Sequence, residues 1–433
     1  MPEADDLARR LIAENFSRLD GAIRVGGLAL ADLARTHGTP LFVYDAALMR
    51  RAYRALSRAV AAFATVDYSV KANPCPAVIR VFADEGAGAE IASGAEFAAA
   101  LAAGVAPEKI LFAGPGKSDA DLDRVVAGGI GEIHLENIEE MVRVAAAAAR
   151  HGRRAAVAIR VNPGPDAQGG AMRMGGKPSP FGFDEEELDA VVDRVAAEPH
   201  LRLTGLHLFA GTQGLSAAVL LGQWAYGLRL ASRVAARIGR PLDTVDLGGG
   251  LGIPYFAGDA ALDLDAIHAG IPALRATVDA DPGLAGARIV LEPGRYLVGP
   301  AGLYVARVRA VKISRGQRFV ITDGGMHHHL AASGNLGQIV KRDYPVVAVV
   351  EPADSVRTPA AVVGPLCTPL DMLARAAPLP DLAAGDLVAV LQSGAYGLTA
   401  SPTGFLSHPL PAEILVDGGR ATAIGPWRPG VDA

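Results

Sequence analysis

A chain of 433 residues, half of them hydrophobic, has material for one large domain with a smaller one, or for two to three modest domains. A formal net charge of -5 without any lysine–arginine run speaks against nucleic acid as a partner, and no uncharged apolar stretch of about 18 residues is present to span a membrane. Two distant cysteines, Cys75 and Cys367, make no disulfide framework, and the acidic start from Met1 to Asp6 has no apolar run of a signal peptide, so a reduced cytoplasm is expected.

Residues 1–40 carry a short amphipathic helix and then a strand and turn at Ile23–Gly27. Leu41–Asp45 reads as a strand whose aspartate caps a helix from Ala46 to Phe63. A rhythm of short apolar strand, turn and alanine-rich helix follows. Its strands are Thr65–Val70, Ala89–Ile91, Ile110–Ala113, Glu132–Leu135, Ala155–Val161, Leu203–Leu208, Thr244–Leu247 and Arg288–Glu292. Its helices are Pro76–Glu85, Gly94–Ala103, Asp119–Ala127, Ile138–His151, Glu185–Glu198, Ala217–Ile238 and Leu264–Ala280. Eight strands alternating with helices imply an α/β fold of the (β/α)8 TIM-barrel kind over residues 41–300. Near residue 300 the pattern turns to period-two alternation. Gly302–Arg315, Phe319–Asp323, Val346–Val350, Ala360–Val363, Asp386–Leu391 and Glu413–Val416 form a C-terminal all-β module over 301–433. No repeat or low-complexity linker separates the two parts, so they are expected to pack closely.

The chemistry collects at strand ends, where active sites of such barrels lie. In Asp67-Tyr68-Ser69-Val70-Lys71-Ala72-Asn73-Pro74 the strand stops before proline, leaving Lys71 at the mouth. Desolvation there is expected to lower the amine's proton affinity and make it an imine-forming nucleophile. Taken alone, a surface lysine is the plainer reading, and residues downstream reverse it. His207 lies at the end of an apolar strand, where a satisfied core histidine is the common case. Gly248-Gly249-Gly250 follows another strand and can expose N–H groups to a phosphate, or can simply make a tight turn. It is not a G-x-G-x-x-G before a helix, which disfavours a dinucleotide site. Glu292 and Arg295 close the last strand, as a functional pair or as an ion pair on a loop. A lysine, an imidazole, a glycine loop and a carboxylate at one rim suit pyridoxal 5'-phosphate. His327-His328-His329 is expected to hold no metal, because adjacent histidines in a strand face opposite ways.

In combination these segments resemble the fold-type III pyridoxal-phosphate decarboxylases, the group of diaminopimelate, ornithine and arginine decarboxylases. The resemblance covers about residues 40–410. It is carried by Tyr-Ser-Val-Lys-Ala-Asn (68–73), Ser-Gly-Ala-Glu (93–96), Phe-Ala-Gly-Pro-Gly-Lys (112–117), Gly-Gly-Gly (248–250), Glu-Pro-Gly-Arg (292–295), Gly-Pro-Leu-Cys (364–367) and Gly-Ala-Tyr-Gly (394–397). It implies an alanine-racemase-like barrel plus a β-domain that residues 1–40 join. It implies that Lys71 forms the imine with the cofactor and that His207 stacks on the cofactor ring. Glu292 would pair with the pyridine nitrogen. Thr212, Gly248, Gly249, Gly250, Gly294, Arg295 and Tyr396 would bind the cofactor. It further implies a homodimer with shared sites, in which Cys367 and Asp371 cross to the other subunit and Cys367 supplies a proton. Thr368, Asp371, Arg173 and Arg295 would meet the substrate.

The departures concern the substrate. Diaminopimelate decarboxylases usually carry Cys-Glu-Ser where this chain has Cys367-Thr368-Pro369, so the group expected to hold the far amino end of diaminopimelate is missing. The acid that precedes the Ala-Ser segment in ornithine-type enzymes is here Glu90, one methylene longer than aspartate. A glycine-rich loop with Arg173 and Lys177 (169–182) resembles the subfamily that acts on L-glutamyl groups tethered to an acyl-carrier protein, with its exosortase-associated relatives. That loop admits an elongated, carrier-borne substrate or is an ordinary barrel loop. The expected activity is loss of the α-carboxylate from an amino acid, free or carrier-tethered. The alternatives are decarboxylation of free diaminopimelate, ornithine, lysine or arginine, a racemase, and an inactive regulatory homologue.

Overall fold

The barrel closes through its first strand. Thr65–Val66 pairs with the last barrel strand, Arg288–Leu291, while Tyr68–Ser69 pairs with the second, Ala89–Ile91. Asp67 separates the two halves: its N–H donates to Leu291 O at 2.9 Å, and its Oδ1 accepts the Gly88 N–H at 3.0 Å. One strand thereby serves both edges, and no open edge is left. Between them run Ile110–Phe112, Glu132–Leu135, Ala155–Asn162, Leu201–Leu208 and Thr244–Asp246, each parallel to its neighbours. The computed structural model describes residues 2–164, 172–173, 178–336, 338 and 340–427.

The helices stand where the alanine-rich segments predict them, and their ends are chemically marked. Asp45 accepts from the N–H groups of Ala47 and Leu48 at the start of Ala46–Val60. Ser93, Asn137, Ser216 and Asp263 cap later helices the same way, and Ser118 with Asp121 forms a capping box. On Ile138–Arg150 the stripe Met141, Val144, Ala145, Ala148 is buried against the barrel wall. Burial of a side chain such as Val144 contributes roughly 1.5–3 kcal/mol, and small alanines let the helix axes approach.

The second domain is built on Gly302–Ser314. This long strand pairs antiparallel with Gln317–Thr322, with Leu387–Val390 and with Leu41–Asp45. Leu41–Asp45 also runs parallel to Ala412–Asp417. The segment 41–45, counted with the barrel from the sequence, thus lies in the second sheet, and the barrel body starts at Ala46. All five of its residues are buried, and two flanking strands satisfy its backbone on both sides. Leu7, Leu11, Ile23, Val25 and Leu30 share one apolar cluster with Leu41, Val43, Leu303, Val305 and Ile414, so the N-terminal residues pack on this sheet. Within this sheet two strands go beyond the sequence expectation. Met372–Leu379 and Arg420–Gly425 are poor in the β-branched pattern and are held by pairing with Thr358–Val363 and Ala412–Asp417. Among the described residues, no helix is long and apolar enough to cross a membrane.

Candidate active site

Lys71 stands not in a strand but in a single 3-10 turn, Val70–Ala72, directly after Tyr68–Ser69. Asn73 is extended, as a residue before proline must be, and its N–H closes the turn on Val70 O at 3.0 Å. The turn lifts Nζ toward the barrel mouth, where it donates to Glu90 Oε1 and Oε2 at 3.0 and 2.8 Å. Glu90 is buried and also accepts from Ser69 Oγ at 2.5 Å. The sequence expectation for the amine is corrected here. Burial lowers its proton affinity, but Glu90, followed by Tyr396 and Glu292, more than offsets that, and the lysine lies above its ordinary value. The amine is therefore held as an ammonium against Glu90.

The floor of the mouth is imidazole on imidazole. His207, near the end of Leu201–Leu208, is buried and lies against His134 of Glu132–Leu135 with ring centroids 4.3 Å apart and the planes tilted by 35°. Burial, with His134 adding, lowers His207 to about 4, against the opposing pull of Glu292, so the ring is neutral near pH 7. Its Nε2 lies 3.6 Å from Glu292 Oε2, too long for a hydrogen bond, and among the described residues neither ring nitrogen has a hydrogen-bond partner. Glu292 Oε1 is buried and equally unpartnered. Burial pushes Glu292 up, but His207 and Asp246 outweigh it and hold the carboxyl below the usual range. Asp246, at the end of Thr244–Asp246, accepts the Gly248 N–H on Oδ1 at 2.8 Å. His134 Nε2 lies 3.2 Å from Glu132 Oε1 and 3.8 Å from Asp246 Oδ2.

Beside this floor the Gly248–Gly250 turn folds against two backbones. A Cβ on Gly249 would stand 2.3 Å from Glu292 O, and one on Gly250 would stand 2.5 Å from Gly211 O, with Gly250 at φ +86°. Only glycine fits there. The N–H groups of Gly249 and Gly250 donate to no protein atom among the described residues. Thr212 lies in Gly211–Thr212 on the same turn, and Gly214 N–H donates to Gly250 O at 2.8 Å. Gly294 packs on Ala72, with room for no Cβ, and brings the start of Arg295–Val298 to the Lys71 turn. Tyr396 reaches the same place from the second domain. Its N–H donates to Ala72 O at 2.8 Å, its φ is +53°, and its ring lies under the Arg295 guanidinium at 4.7 Å. Arg295 also donates to Tyr255 Oη at 2.9 Å.

Lys71, His207, Thr212, Gly248, Gly249, Gly250, Glu292, Gly294, Arg295 and Tyr396 therefore surround one mouth. Cys367, Thr368 and Asp371 do not join them. They lie in the loop between Thr358–Val363 and Met372–Leu379, and no hydrogen bond or ion pair among the described residues links them to Lys71, His207 or Glu292. Cys367 is exposed. Asp371 is buried, and its two oxygens accept the N–H groups of Met326 and Leu366 at 2.6 and 2.8 Å, so within its own chain it ties two loops together. The backbone of Arg173 pairs with Gly211, whereas Gly169–Ala171 and Met174–Lys177 lie outside the described residues. His327–His329 lie in a turn rather than a strand. The His327 and His328 rings lie against each other with centroids 3.7 Å apart, His328 meeting Tyr304 Oη and Pro409 O, while His329 turns to Ser393 Oγ.

His134, Asp246 and Glu132 are polar residues of the site that the sequence reading did not name, and Glu90, noted there only as one methylene longer than aspartate, is the partner of Lys71. A signal existed in Glu132-x-His134, since residues two apart on a strand share a face. The donor set fits the cofactor that the resemblance implies. An orphaned buried carboxylate oxygen suits a ring N–H, a neutral buried imidazole suits stacking, and two free N–H groups in a cradle that a Cβ would fill suit a phosphate.

Residues 46–299 match the family described as "Pyridoxal-dependent decarboxylase, pyridoxal binding domain". The chain is 38% identical over 395 residues to the L-glutamyl-[BtrI acyl-carrier protein] decarboxylase of Niallia circulans, spanning 90% of this chain and 92% of that protein. It is 32% identical over 417 residues to the diaminopimelate decarboxylase of Zymomonas mobilis, spanning 94% and 95%. Among solved structures, AQ1208 from Aquifex aeolicus superposes with a TM-score of 0.85 at 29% identity, covering 96% of each chain. The diaminopimelate decarboxylase of Helicobacter pylori complexed with L-lysine superposes with a TM-score of 0.80 at 27% identity, covering 91% of this chain and 95% of that one.

Proposed function

The chain belongs to the pyridoxal-dependent decarboxylase family, and from that membership we propose that its substrate is an aminoacyl group of the L-glutamyl kind carried on an acyl-carrier protein. The observation that carries this choice is Thr368 after Cys367. A threonine offers no anion to the far ammonium of diaminopimelate, so a substrate with a neutral, extended far end suits the position better. The 38% identity to an enzyme named for such a substrate supports the same choice.

Pyridoxal phosphate supplies an electron sink for the pair left on the substrate carbon when carbon dioxide departs. The chain's own residues do the rest. Lys71 Nζ is the covalent anchor, and Glu90 keeps its proton within 3.0 Å. Gly249 and Gly250 offer N–H groups to the phosphate, with the backbone at Gly294 and Arg295 on the other side. Glu292 would hold a proton on the ring nitrogen, and His207 would cover a ring face and exclude water from it. A carboxylate at 292 favours deep charge withdrawal, which argues against the racemase reading. The Arg295 guanidinium, braced by Tyr255 and Tyr396, attracts the substrate carboxylate. Cys367 Sγ, exposed in its own subunit, serves the mouth of a second copy and returns a proton to the substrate carbon. Thr368 goes with it. Asp371 acts by holding that loop, and Arg173 is assigned to substrate binding. The reaction takes place in the cytoplasm, in keeping with two unpaired cysteines.

The test is carbon dioxide release from free diaminopimelate, ornithine, lysine, arginine and glutamate against L-glutamyl-loaded carrier protein. Release from the carrier-linked group alone is expected. Release from diaminopimelate alone would overturn the substrate assignment. A fully active monomer in sedimentation would remove Cys367 from its role.

A further inference from the structure

Three carboxylates and two imidazoles meet below the mouth: Glu132 and His134 from one strand, His207 from another, Asp246 from a third and Glu292 directly after Arg288–Leu291. No lysine or arginine among the described residues forms an ion pair with any of them. One donor atom from each of His134, His207, Asp246 and Glu292 lies within 4.8 Å of the others, and all four residues are buried. Among the described residues, Asp246 Oδ2 and Glu292 Oε1 are buried oxygens that accept no hydrogen bond from an N–H or O–H donor. Two carboxylates this close and away from water, with no lysine or arginine paired to either among the described residues, repel strongly, and one proton held between them relieves that repulsion.

The surroundings decide which of them carries it. Glu292 lies at the rim beside His207 Nε2. Asp246 lies deeper, fully enclosed, with Glu292 on one side and Glu132 across His134 on the other. An anion at Asp246 would face two others, whereas an anion at Glu292 faces the mouth.

We propose that Asp246 is a neutral carboxylic acid that directs its O–H at Glu292, which makes it a positioning residue that keeps Glu292 the anion facing the cofactor ring nitrogen. Its Oδ1 is committed to the Gly248 N–H, which leaves Oδ2 to carry the proton. Burial and the nearness of Glu292 push Asp246 well above the ordinary aspartate range, in the same sense. An O–H donated to one face of Glu292 weakens that carboxylate's own hold on a proton and fixes its orientation. The other face is left for the ring. The same aspartate thereby couples the ring-nitrogen site to the Gly248–Gly250 turn through one carboxyl group.

This inference rests on the cofactor reading above only for what Glu292 faces, and its test separates the two. Infrared spectra of the cofactor-loaded and cofactor-stripped protein at about pH 8, well above an ordinary aspartate value, are expected to contain a protonated-carboxyl C=O band. Carbon-13 labelling of aspartate side chains should shift that band, and D246N should remove it. Absence of an aspartate-shifted band in the unsubstituted protein would overturn the proposal, whatever the variants do. Asparagine can reproduce both contacts, accepting from Gly248 and donating to Glu292. D246N should therefore bind pyridoxal phosphate far more tightly than D246A, which should lose about 10- to 100-fold, as for a hydrogen bond to a charged group. D246N as weak as D246A would also count against the idea. A protein with the band that takes up no pyridoxal phosphate would sink the functional reading and leave this one standing.

Discussion

Replacing Glu90 with glutamine removes the charge that opposes Lys71 while keeping an acceptor for Ser69. Its oxygens stand 2.8 and 3.0 Å from Nζ. Unit charges about 3 Å apart attract by roughly 5.5 kcal/mol at an effective dielectric near 20 and by roughly 1.4 kcal/mol in bulk water. The Lys71 side chain is 45% exposed, so solvent screens the pair and the lower part of that range applies. About 2 kcal/mol corresponds to about 1.5 pKa units. The sign is downward, because the charged amine loses its partner while the partial desolvation that disfavours it remains. Only the neutral amine attacks an aldehyde, so at neutral pH its share should rise about thirtyfold. The assay is the rate of pyridoxal phosphate uptake by cofactor-stripped protein, followed by absorbance across pH. The Glu90→Gln profile should move to lower pH by about 1.5 units. A profile that stays in place, or moves upward, would show that Glu90 does not hold the ammonium.

Gly249→Ala drives a Cβ to 2.3 Å from Glu292 O, so the turn or the Glu292 backbone must move. A loss of about 1–3 kcal/mol in stability, with weaker cofactor binding in a fluorescence titration, is expected. His329 titrates at about 3 in the fold because burial disfavours its charged form. The unfolded chain takes up that proton near pH 6.5, so stability is full above this value and falls as pH drops toward 3. At pH 5 the deficit is about 2 kcal/mol. His329→Gln should therefore narrow the gap between denaturant midpoints at pH 7.5 and pH 5. An unchanged gap would mean that the ring is charged in the fold. Lys71→Ala should abolish carbon dioxide release and the visible cofactor band while leaving circular dichroism unchanged, since its side chain reaches half into solvent.

What the sequence revealed of this site, and what it hid, divides along a physical line. Lys71 before Asn73-Pro74, the run Gly248–Gly250 and Glu292 before Pro293 are local punctuation. The residues that stop a strand or demand an unusual backbone are the same ones that bring chemistry to its end. Glu132-Ile133-His134-Leu135 is different. Its alternation is plain, yet in a flat sheet the polar face of such a strand belongs to water and the apolar face to the core. Closure of the barrel inverts this. Ile133 and Leu135 are fully buried in the main apolar core, while Glu132 and His134 turn into the barrel, toward Thr204, Asp246 and His207. The inversion depends on closure of the sheet, in which the first strand pairs with both the second and the last, a long-range event that four residues of pattern do not contain. The error over Lys71 has the same origin. Desolvation can be judged from one strand end, but Glu90 arrives from the next strand, Ala89–Ile91, and its charge decides the sign. Leu41–Asp45 follows suit, because its apolar run serves either sheet equally and only Gly302–Val305 and Ala412–Val416, far away in the chain, claim it. Polar residues inside a closed barrel thus carry function by being held where no single segment would place them, and a site like this one is best sought on the inward face of every strand as well as at its end.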